Sequence, residues 1–411
     1  MSKILIYLLL IFLPINSFSQ NLDSMMLTNQ LDAAIRIIDS ELAKNETQPL
    51  LHYKKGTIYQ KKYEYQNALK SFARAFELDS SNINLLNEIA EVYTNLGYYQ
   101  KALSYCRSIY KRDTLSIVYA IKLARAYFNA RSYTEPYLLL RTLYAQDSTN
   151  VYINKQLAFA ALKTSHDSLG IALFQTLIKN NPADLNNYLN LLTIYQRKEK
   201  YGNSVELLEN GIINFPDETI LLNKLGDIHY AKRAYQKAIV PYEKFLSFGD
   251  SITDVLKNLG ISYYYEKRYR EGINLLEKSL QLKPNEPVVG LFIGLCYKDL
   301  HEYDESIGYL NFAAKIAVPY YVSDIYNQLG NIYIQKKEYK KSVGLLKKAY
   351  NLDTTKCEIL FKLGNTYDVW QKDKYLAIKY YNAFLKSKKE DSDFYHQLTE
   401  YVLDRKRKLK F

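Results

Sequence analysis

Apolar residues recur every three or four positions along most of the chain, in short runs that polar turns separate. The clearest example extends from Thr253 to Glu286, where a polar turn lies between two such runs. The first run is Leu256, Leu259 and Tyr263, and the second is Ile273, Leu276 and Leu280. Pro284 follows the second run and cannot continue a helix. Two helices this short cannot bury both of their apolar faces alone, so the pattern predicts stacking on further copies.

Copies of this unit occupy most of the chain, and small residues mark them at a nearly constant spacing. The marked site holds Gly56, Ala90, Ala124, Ala158, Leu192, Gly226, Gly260, Gly294, Gly330 and Gly364. Eight of the nine intervals are 34 residues and one is 36, and a tyrosine follows three residues later in most copies. These residues resemble the tetratricopeptide repeat, a helix-turn-helix unit of 34 residues.

The resemblance implies an all-α fold, in which about ten helix-turn-helix repeats form a right-handed superhelical α-solenoid over residues 49–390. Residues 20–48 are predicted to be an N-terminal capping half-repeat, and residues 391–411 a C-terminal capping helix with a basic end. Such caps shield the apolar face of a terminal repeat from water. Leu192 replaces the usual small residue, so we expect the helix pair 185–218 to be splayed or re-packed.

The first nineteen residues have the features of a signal peptide. Lys3 supplies a positive charge, Ile4–Leu13 an apolar run, and Ser17-Phe18-Ser19 a small-x-small cleavage signal. The apolar run is shorter than the roughly 20 residues that a membrane-spanning helix needs. We therefore expect an exported protein of the periplasm or outer envelope, with residues 1–19 removed. An uncleaved membrane anchor is the alternative interpretation.

The chain is basic, with a formal net charge of +12, and part of that charge is concentrated at Arg405–Lys410. No long basic stripe accompanies it, so nucleic-acid binding is not predicted. The C-terminal basic end is interpreted as a solvated helix end. Weak contact with an anionic membrane surface or an acidic partner is the alternative.

Residues with catalytic or metal-binding chemistry are scattered rather than grouped. The five histidines are His52, His166, His229, His301 and His396, and no His-x-x-x-His or Cys-x-x-Cys pair occurs. The three cysteines, an odd number without a framework, are predicted to be free thiols in the core. The sequence therefore predicts no enzyme activity, no cofactor and no metal.

In the tetratricopeptide-repeat family, the first helix of each repeat lines a concave groove that binds extended peptides or partner helices. Carried over to this sequence, the groove would include Asn223, Asp227, Tyr230, Lys257, Tyr264, Tyr265, Asn327, Asn331, Gln335, Asn365 and Asp368. Asparagine can hydrogen-bond a peptide backbone, and tyrosine offers a rigid surface with a polar tip. The alternative is that these are ordinary solvent-facing polar residues.

Asp-Ser or Asp-Thr pairs recur between helices, as in Asp147-Ser148 and Asp353-Thr354. The short polar side chains are predicted to cap the next helix and to shape the turn. Asp-Ser/Thr followed by an apolar residue, as in Asp113-Thr114-Leu115, also resembles an acceptor motif for O-linked sugars on exported proteins of some Gram-negative bacteria.

Together these observations predict a non-enzymatic scaffold that holds protein partners in its groove for assembly of an envelope complex. One alternative is a periplasmic sensory or regulatory repeat protein of a signalling system. That role would call for a second apolar span and a further domain, and neither is expected in this chain. Another alternative is an accessory to a cell-wall or secretion enzyme, against which the missing nucleophile–base constellation argues.

Overall fold

A computed structural model describes residues 22–317, 319–370, 373–387 and 393–409 of the chain. Within these ranges the secondary structure consists of helices joined by short turns, and no strand occurs. The prediction of an all-α fold is confirmed. The predicted signal peptide, residues 1–19, lies outside the described residues.

The helices alternate between a first and a second helix of each repeat. The first helices are α3 (Pro49–Lys61), α5 (Ile83–Asn95), α7 (Ile117–Asn129), α9 (Val151–Lys163), α11 (Leu185–Arg197), α13 (Thr219–Ala231), α15 (Thr253–Tyr265), α17 (Pro287–Asp299), α19 (Pro319–Gln335) and α21 (Glu358–Trp370). The second helices are α4 (Tyr65–Leu78), α6 (Tyr99–Arg112), α8 (Thr134–Gln146), α10 (Asp167–Asn180), α12 (Tyr201–Asn214), α14 (Tyr235–Ser247), α16 (Tyr269–Leu282), α18 (Tyr303–Ile316), α20 (Tyr339–Leu352) and α22 (Lys374–Ser387). The short helix α1 (22–27) and α2 (Leu31–Lys44) precede them, and α23 (Asp393–Leu409) follows.

The chain divides into two compact units, Met1–Lys200 and Tyr201–Phe411. Within each unit a helix packs mainly against the helices before and after it in the chain, as repeat proteins do. The division falls inside the repeat that carries Leu192, in the turn after α11. Leu192 itself is buried.

The small residue of each first helix makes room for a large side chain from the second helix. A Cβ atom added at Gly226 would lie 2.4 Å from the ring of Tyr242, and one at Gly56 would lie 2.4 Å from the ring of Phe72. Tyr242 and Phe72 are fully buried. The recurring glycine or alanine is therefore a condition for close packing within the helix pair.

The turn between the two helices of a repeat has the same backbone form in most repeats. Its central residue adopts a left-handed conformation with positive φ: Tyr63, Gly97, Arg131, Ser165, Glu199, Arg233, Lys267, His301 and Lys337. In eight of these nine turns the amide of this residue donates to the carbonyl three residues earlier, as Lys267 does to Tyr264 at 3.0 Å. Such a residue ends the first helix and reverses the chain.

Helix α2 packs against α3 at the N-terminal end of the described helices, and α23 packs against α22 at the C-terminal end. On α2, Ala34, Ile35, Ile38 and Leu42 are buried. On α23 the buried residue is Val402, which belongs to the core around α21 and α22. Among the residues that the structure describes, no helix combines the length and apolar composition that a membrane crossing requires.

Two of the three cysteines, Cys296 and Cys357, are buried, and Cys106 is half-buried; all three are free thiols. Burial raises the pKa of Cys296 to about 12, with a smaller contribution from the nearby Asp299. The prediction of unpaired, core-facing thiols is confirmed for Cys296 and Cys357.

At two junctions an aspartate shapes the turn, as predicted, whereas the residue that caps the next helix α9 is Asn150. The Asp147 carboxylate accepts hydrogen bonds from the amide and the hydroxyl of Thr149, at 2.9 and 2.6 Å. The Asp353 carboxylate accepts the same pair from Thr355, at 3.0 and 2.6 Å. Asp167 differs, because it is buried at the start of α10 and pairs with Arg197.

Candidate functional site

The predicted groove residues all lie on first helices of the second unit, on α13, α15, α19 and α21. Their accessibility differs. Tyr265 and Gln335 are exposed; Asn223, Asp227, Tyr230, Lys257, Tyr264, Asn331 and Asn365 are half-buried; Asn327 and Asp368 are buried. The positions therefore share a side of the helices but not an equal access to a partner.

A cluster of six aromatic rings joins three successive repeats of the second unit. We call it the aromatic cluster: Tyr230, Tyr235, Tyr264, Tyr265, Tyr269 and Phe292. Its tightest contact is between Tyr235 and Tyr265, whose rings stack with centroids 4.1 Å apart and planes 5° from parallel. Phe292 contacts Tyr264 edge-to-face at 5.3 Å. Because the rings come from α13 to α17, the cluster forms a surface that no single repeat could build.

Within the aromatic cluster, access to solvent is greatest at Tyr265. Tyr265 is 47% exposed, whereas Tyr264 is half-buried between Tyr265, Tyr269 and Phe292. Burial, together with the adjacent Tyr265, raises the pKa of Tyr235 to about 12. Burial and the nearby Asp299 charge raise the pKa of Tyr264 as well, so both phenols stay protonated near neutral pH.

Two predicted groove residues of this region are already engaged by neighbours. The Asp227 carboxylate accepts a 2.8 Å hydrogen bond from the hydroxyl of Tyr242. Burial and the Asp227 charge raise the pKa of Tyr242 far above its ordinary value. The Lys257 ammonium donates to Asp254 at 2.5 Å. Both contacts fix the side chains beside the aromatic cluster.

Asn327 has a structural contact as well. Only 7% of it is exposed, and its amide oxygen accepts a 2.8 Å hydrogen bond from the ammonium of Lys362 on the next repeat. Burial lowers the pKa of Lys362. The polar side chain predicted to face a partner thus holds two repeats together.

Asn365 and Asp368 meet the C-terminal helix. The guanidinium of Arg405 donates two hydrogen bonds to the Asp368 carboxylate, at 2.5 and 3.2 Å. The Tyr401 hydroxyl donates to the amide oxygen of Asn365 at 3.2 Å. Helix α23 therefore contacts the last repeat at positions where the family pattern places groove residues.

Sequence reasoning did not include Tyr235, Tyr269 and Phe292 in the candidate site. Tyr235 and Tyr269 belong to a tyrosine that recurs at the start of second helices, and such a recurrence by itself indicates packing between helices. Their position beside the end of the preceding first helix could have suggested surface contact with Tyr230 and Tyr264. Phe292 carries no such repeated signal.

No group of three or more histidine, cysteine or carboxylate side chains suited to a metal ion occurs in the part of the chain that the structure describes. His229 is half-buried, and burial lowers its pKa.

The arrayed helix pairs define an α-helical repeat protein of the solenoid class. The chain is a tetratricopeptide-repeat protein: models of this repeat match residues 50–82, 189–247 and 323–356. Repeats of this family support a role as a protein–protein interaction scaffold. No curated protein sequence matches the chain significantly.

Solved structures with similar folds include three repeat proteins. YrrB, described as a TPR protein with an unusual peptide-binding site, is 17% identical over 46% of this chain and 96% of its own, with a TM-score of 0.42. The Cut9–Hcn1 assembly of the APC/C is 11% identical over 93% of this chain and 95% of its own, with a TM-score of 0.43. Yeast Tom70 is 13% identical over 96% of each chain, with a TM-score of 0.40.

Proposed function

We propose that the protein is an exported scaffold that holds partner segments against the first helices of its second unit and so assembles a complex in the bacterial envelope. The partner segment is an extended peptide or a helix, as the tetratricopeptide resemblance implies. The aromatic cluster is the observation that carries the proposal.

Three properties of the aromatic cluster suit it to binding. The rings are held by one another, so little side-chain entropy remains to be lost when a partner binds. About half of the Tyr265 surface is exposed to solvent, so an apolar side chain of a partner could bury its surface against this ring. The tyrosine hydroxyls can donate to backbone carbonyls of a partner.

The proposal of export is supported by the sequence of residues 1–19, whose charge, apolar run and cleavage signal are those of a signal peptide. Cell fractionation with intact-mass measurement tests it. We expect a periplasmic or envelope-associated chain that begins near Gln20, and a full-length chain in the cytosol would contradict export.

Site-specific photo-crosslinking tests the binding surface. A photoreactive amino acid replaces Tyr265, and the matched control replaces Val240, which is 67% exposed on the second helix α14 of the same unit. In the native host we expect a discrete adduct from position 265 and none from position 240. Adducts of the same kind and yield from both positions, or from neither, would refute binding at the aromatic cluster.

Serine substitutions at Tyr264 and Phe292 sharpen the test. They remove two rings of the aromatic cluster, while the photoreactive amino acid stays at position 265. The adduct yield should then fall several-fold while helicity by circular dichroism is unchanged, since both side chains are only half-buried. An unchanged yield would mean that the adduct does not depend on the cluster.

A further inference from the structure

In the second unit, the turns between first and second helices carry a row of exposed basic residues. The left-handed residues of four successive turns are Arg233, Lys267, His301 and Lys337, and all four are exposed. The corresponding residues of the first unit are Tyr63, Gly97, Arg131, Ser165 and Glu199, with a single cation among them. We call the row in the second unit the basic edge.

The four residues have nearly the same backbone geometry. Their φ angles are 57°, 61°, 63° and 60° in chain order. Each amide donates to the carbonyl three residues earlier, at 2.9 Å for Arg233 and 3.0 Å for Lys267 and His301. The side chains therefore leave their turns in equivalent directions, one for each repeat.

Charges at the basic edge are open to a partner. Arg233, Lys267 and Lys337 make no ion pair with any residue that the structure describes. Neighbouring carboxylates are mostly engaged, since Glu302 pairs with Arg270 and Glu338 pairs with Lys341. Glu266 is an exposed exception beside Lys267.

An aromatic surface lies within the same row. Tyr235 follows Arg233 by two residues and Tyr265 precedes Lys267 by two, and these two rings form the 4.1 Å stack. A ligand that follows the edge therefore meets a cation, a flat aromatic surface and a second cation. That order suits a linear chain that alternates negative and apolar groups.

We propose that the basic edge binds an acidic, proline-rich peptide segment in the polyproline II conformation, with an acidic residue at every third position. Successive first helices α13, α15 and α17 contact one another, so their axes lie about 8–10 Å apart. A polyproline II helix advances about 9 Å per three-residue turn and returns every third side chain to one face. Proline rings pack on exposed tyrosines in the grooves that recognise such segments.

A peptide fits this edge better than other polyanions do. The row is one side chain wide, which suits a linear polymer rather than the plane of a bilayer. A nucleic-acid strand carries a charge about every 3.4 Å, which is much closer than the spacing of one cation for each repeat along the basic edge. The inference rests on the proposed function in taking the partner to be a protein.

Fluorescence anisotropy with a labelled (Glu-Pro-Pro)5 peptide tests the proposal. The test variant is Arg233→Glu/Lys267→Glu/Lys337→Glu, and Glu199 shows that glutamate is accepted in this left-handed turn. The matched control is Lys237→Glu/Lys278→Glu/Lys340→Glu, three exposed lysines on the second helices α14, α16 and α20, with the same change in net charge. We expect binding by the parent protein that weakens about tenfold or more in the test variant. The control variant should bind within about twofold of the parent.

Further probes separate spacing from charge. A peptide of the same composition with its glutamates grouped at one end should bind several-fold more weakly than (Glu-Pro-Pro)5. Equal binding of the two peptides, no binding by the parent protein, or equal loss in test and control variants would overturn the proposal. So would tighter binding to phosphatidylglycerol vesicles or to an oligonucleotide. Because the crosslinking test uses native partners, a negative peptide result beside a positive adduct at position 265 rejects this inference alone.

Discussion

The amide oxygen of Asn327 accepts a hydrogen bond from the ammonium of Lys362 in the next repeat, at 2.8 Å. An equivalent pair occurs in the first unit, where Asn87 accepts from Lys122 at 3.0 Å. In each case the asparagine is the fifth residue of its repeat and the lysine the sixth of the following one. The two pairs differ in burial, because Asn327 is buried whereas Lys122 is exposed.

The first prediction follows from that difference. Asn327→Ala should destabilise the second unit by about 1–3 kcal/mol, because the half-buried Lys362 loses the buried acceptor of its hydrogen bond. Asn87→Ala, the matched control, should cost less than about 1 kcal/mol, since water can replace its contact. Urea unfolding followed by circular dichroism measures both. Equal losses of stability in the two variants would show that burial does not determine how much this hydrogen bond contributes to stability.

The helix pairs and their close packing could be predicted from the sequence, because both depend on residues that recur at fixed positions. Gly226 and Gly260, for example, mark sites where any larger side chain would meet the facing helix. Sequence periodicity reports such local requirements directly.

The burial and the contacts of individual site residues could not be predicted in the same way. Asn327 and Asp368 occupy family groove positions, yet both are buried by partners 35 and 37 residues further along the chain. Arg405 lies on α23, which lacks the landmarks of a repeat, so nothing in the periodicity links it to Asp368. The aromatic cluster needs three repeats in contact, and spacing along one repeat does not reveal it.

The second prediction concerns the small residue of a first helix. Gly226→Ala should destabilise the second unit by about 1–3 kcal/mol, since the new methyl group would lie 2.4 Å from the buried ring of Tyr242. Gly308→Ala is the control, because this helical glycine has nothing within 4 Å of an added Cβ. It should instead stabilise by about 0.5–1 kcal/mol. Shifts of the urea midpoint in opposite directions from the parent protein would support the packing argument. Shifts in the same direction would contradict it.

The third prediction concerns the C-terminal helix. Arg405→Ala leaves the Asp368 carboxylate, only 5% exposed, without its guanidinium partner, so α23 should open more often. Hydrogen exchange of the α23 amides is expected to accelerate by about tenfold or more. Lys408→Ala serves as the control, because its ion pair with Asp404 is exposed. Slow exchange in the Arg405 variant would mean that apolar contacts around Val402 suffice to hold the helix.

The fourth prediction is an alkaline loss of stability. Burial raises the pKa of Tyr235 to about 12 and also raises the pKa of Tyr263, Tyr264 and Tyr309, whereas an unfolded tyrosine titrates near 10. Above pH 10 the folded state therefore holds more protons than the unfolded state, so the free energy of unfolding falls as pH rises.

Helicity should be stable from pH 7 to about 9.5 and should then be lost together with the appearance of tyrosinate absorbance at 295 nm. Tyr309→Phe removes a titrating group and its 2.7 Å hydrogen bond to Glu277. The variant should be less stable than the parent at pH 7, but its stability should fall less steeply between pH 10 and 12. Because a variant that merely weakened packing would keep the parent's slope, parallel curves would show that this tyrosine does not contribute to the alkaline transition.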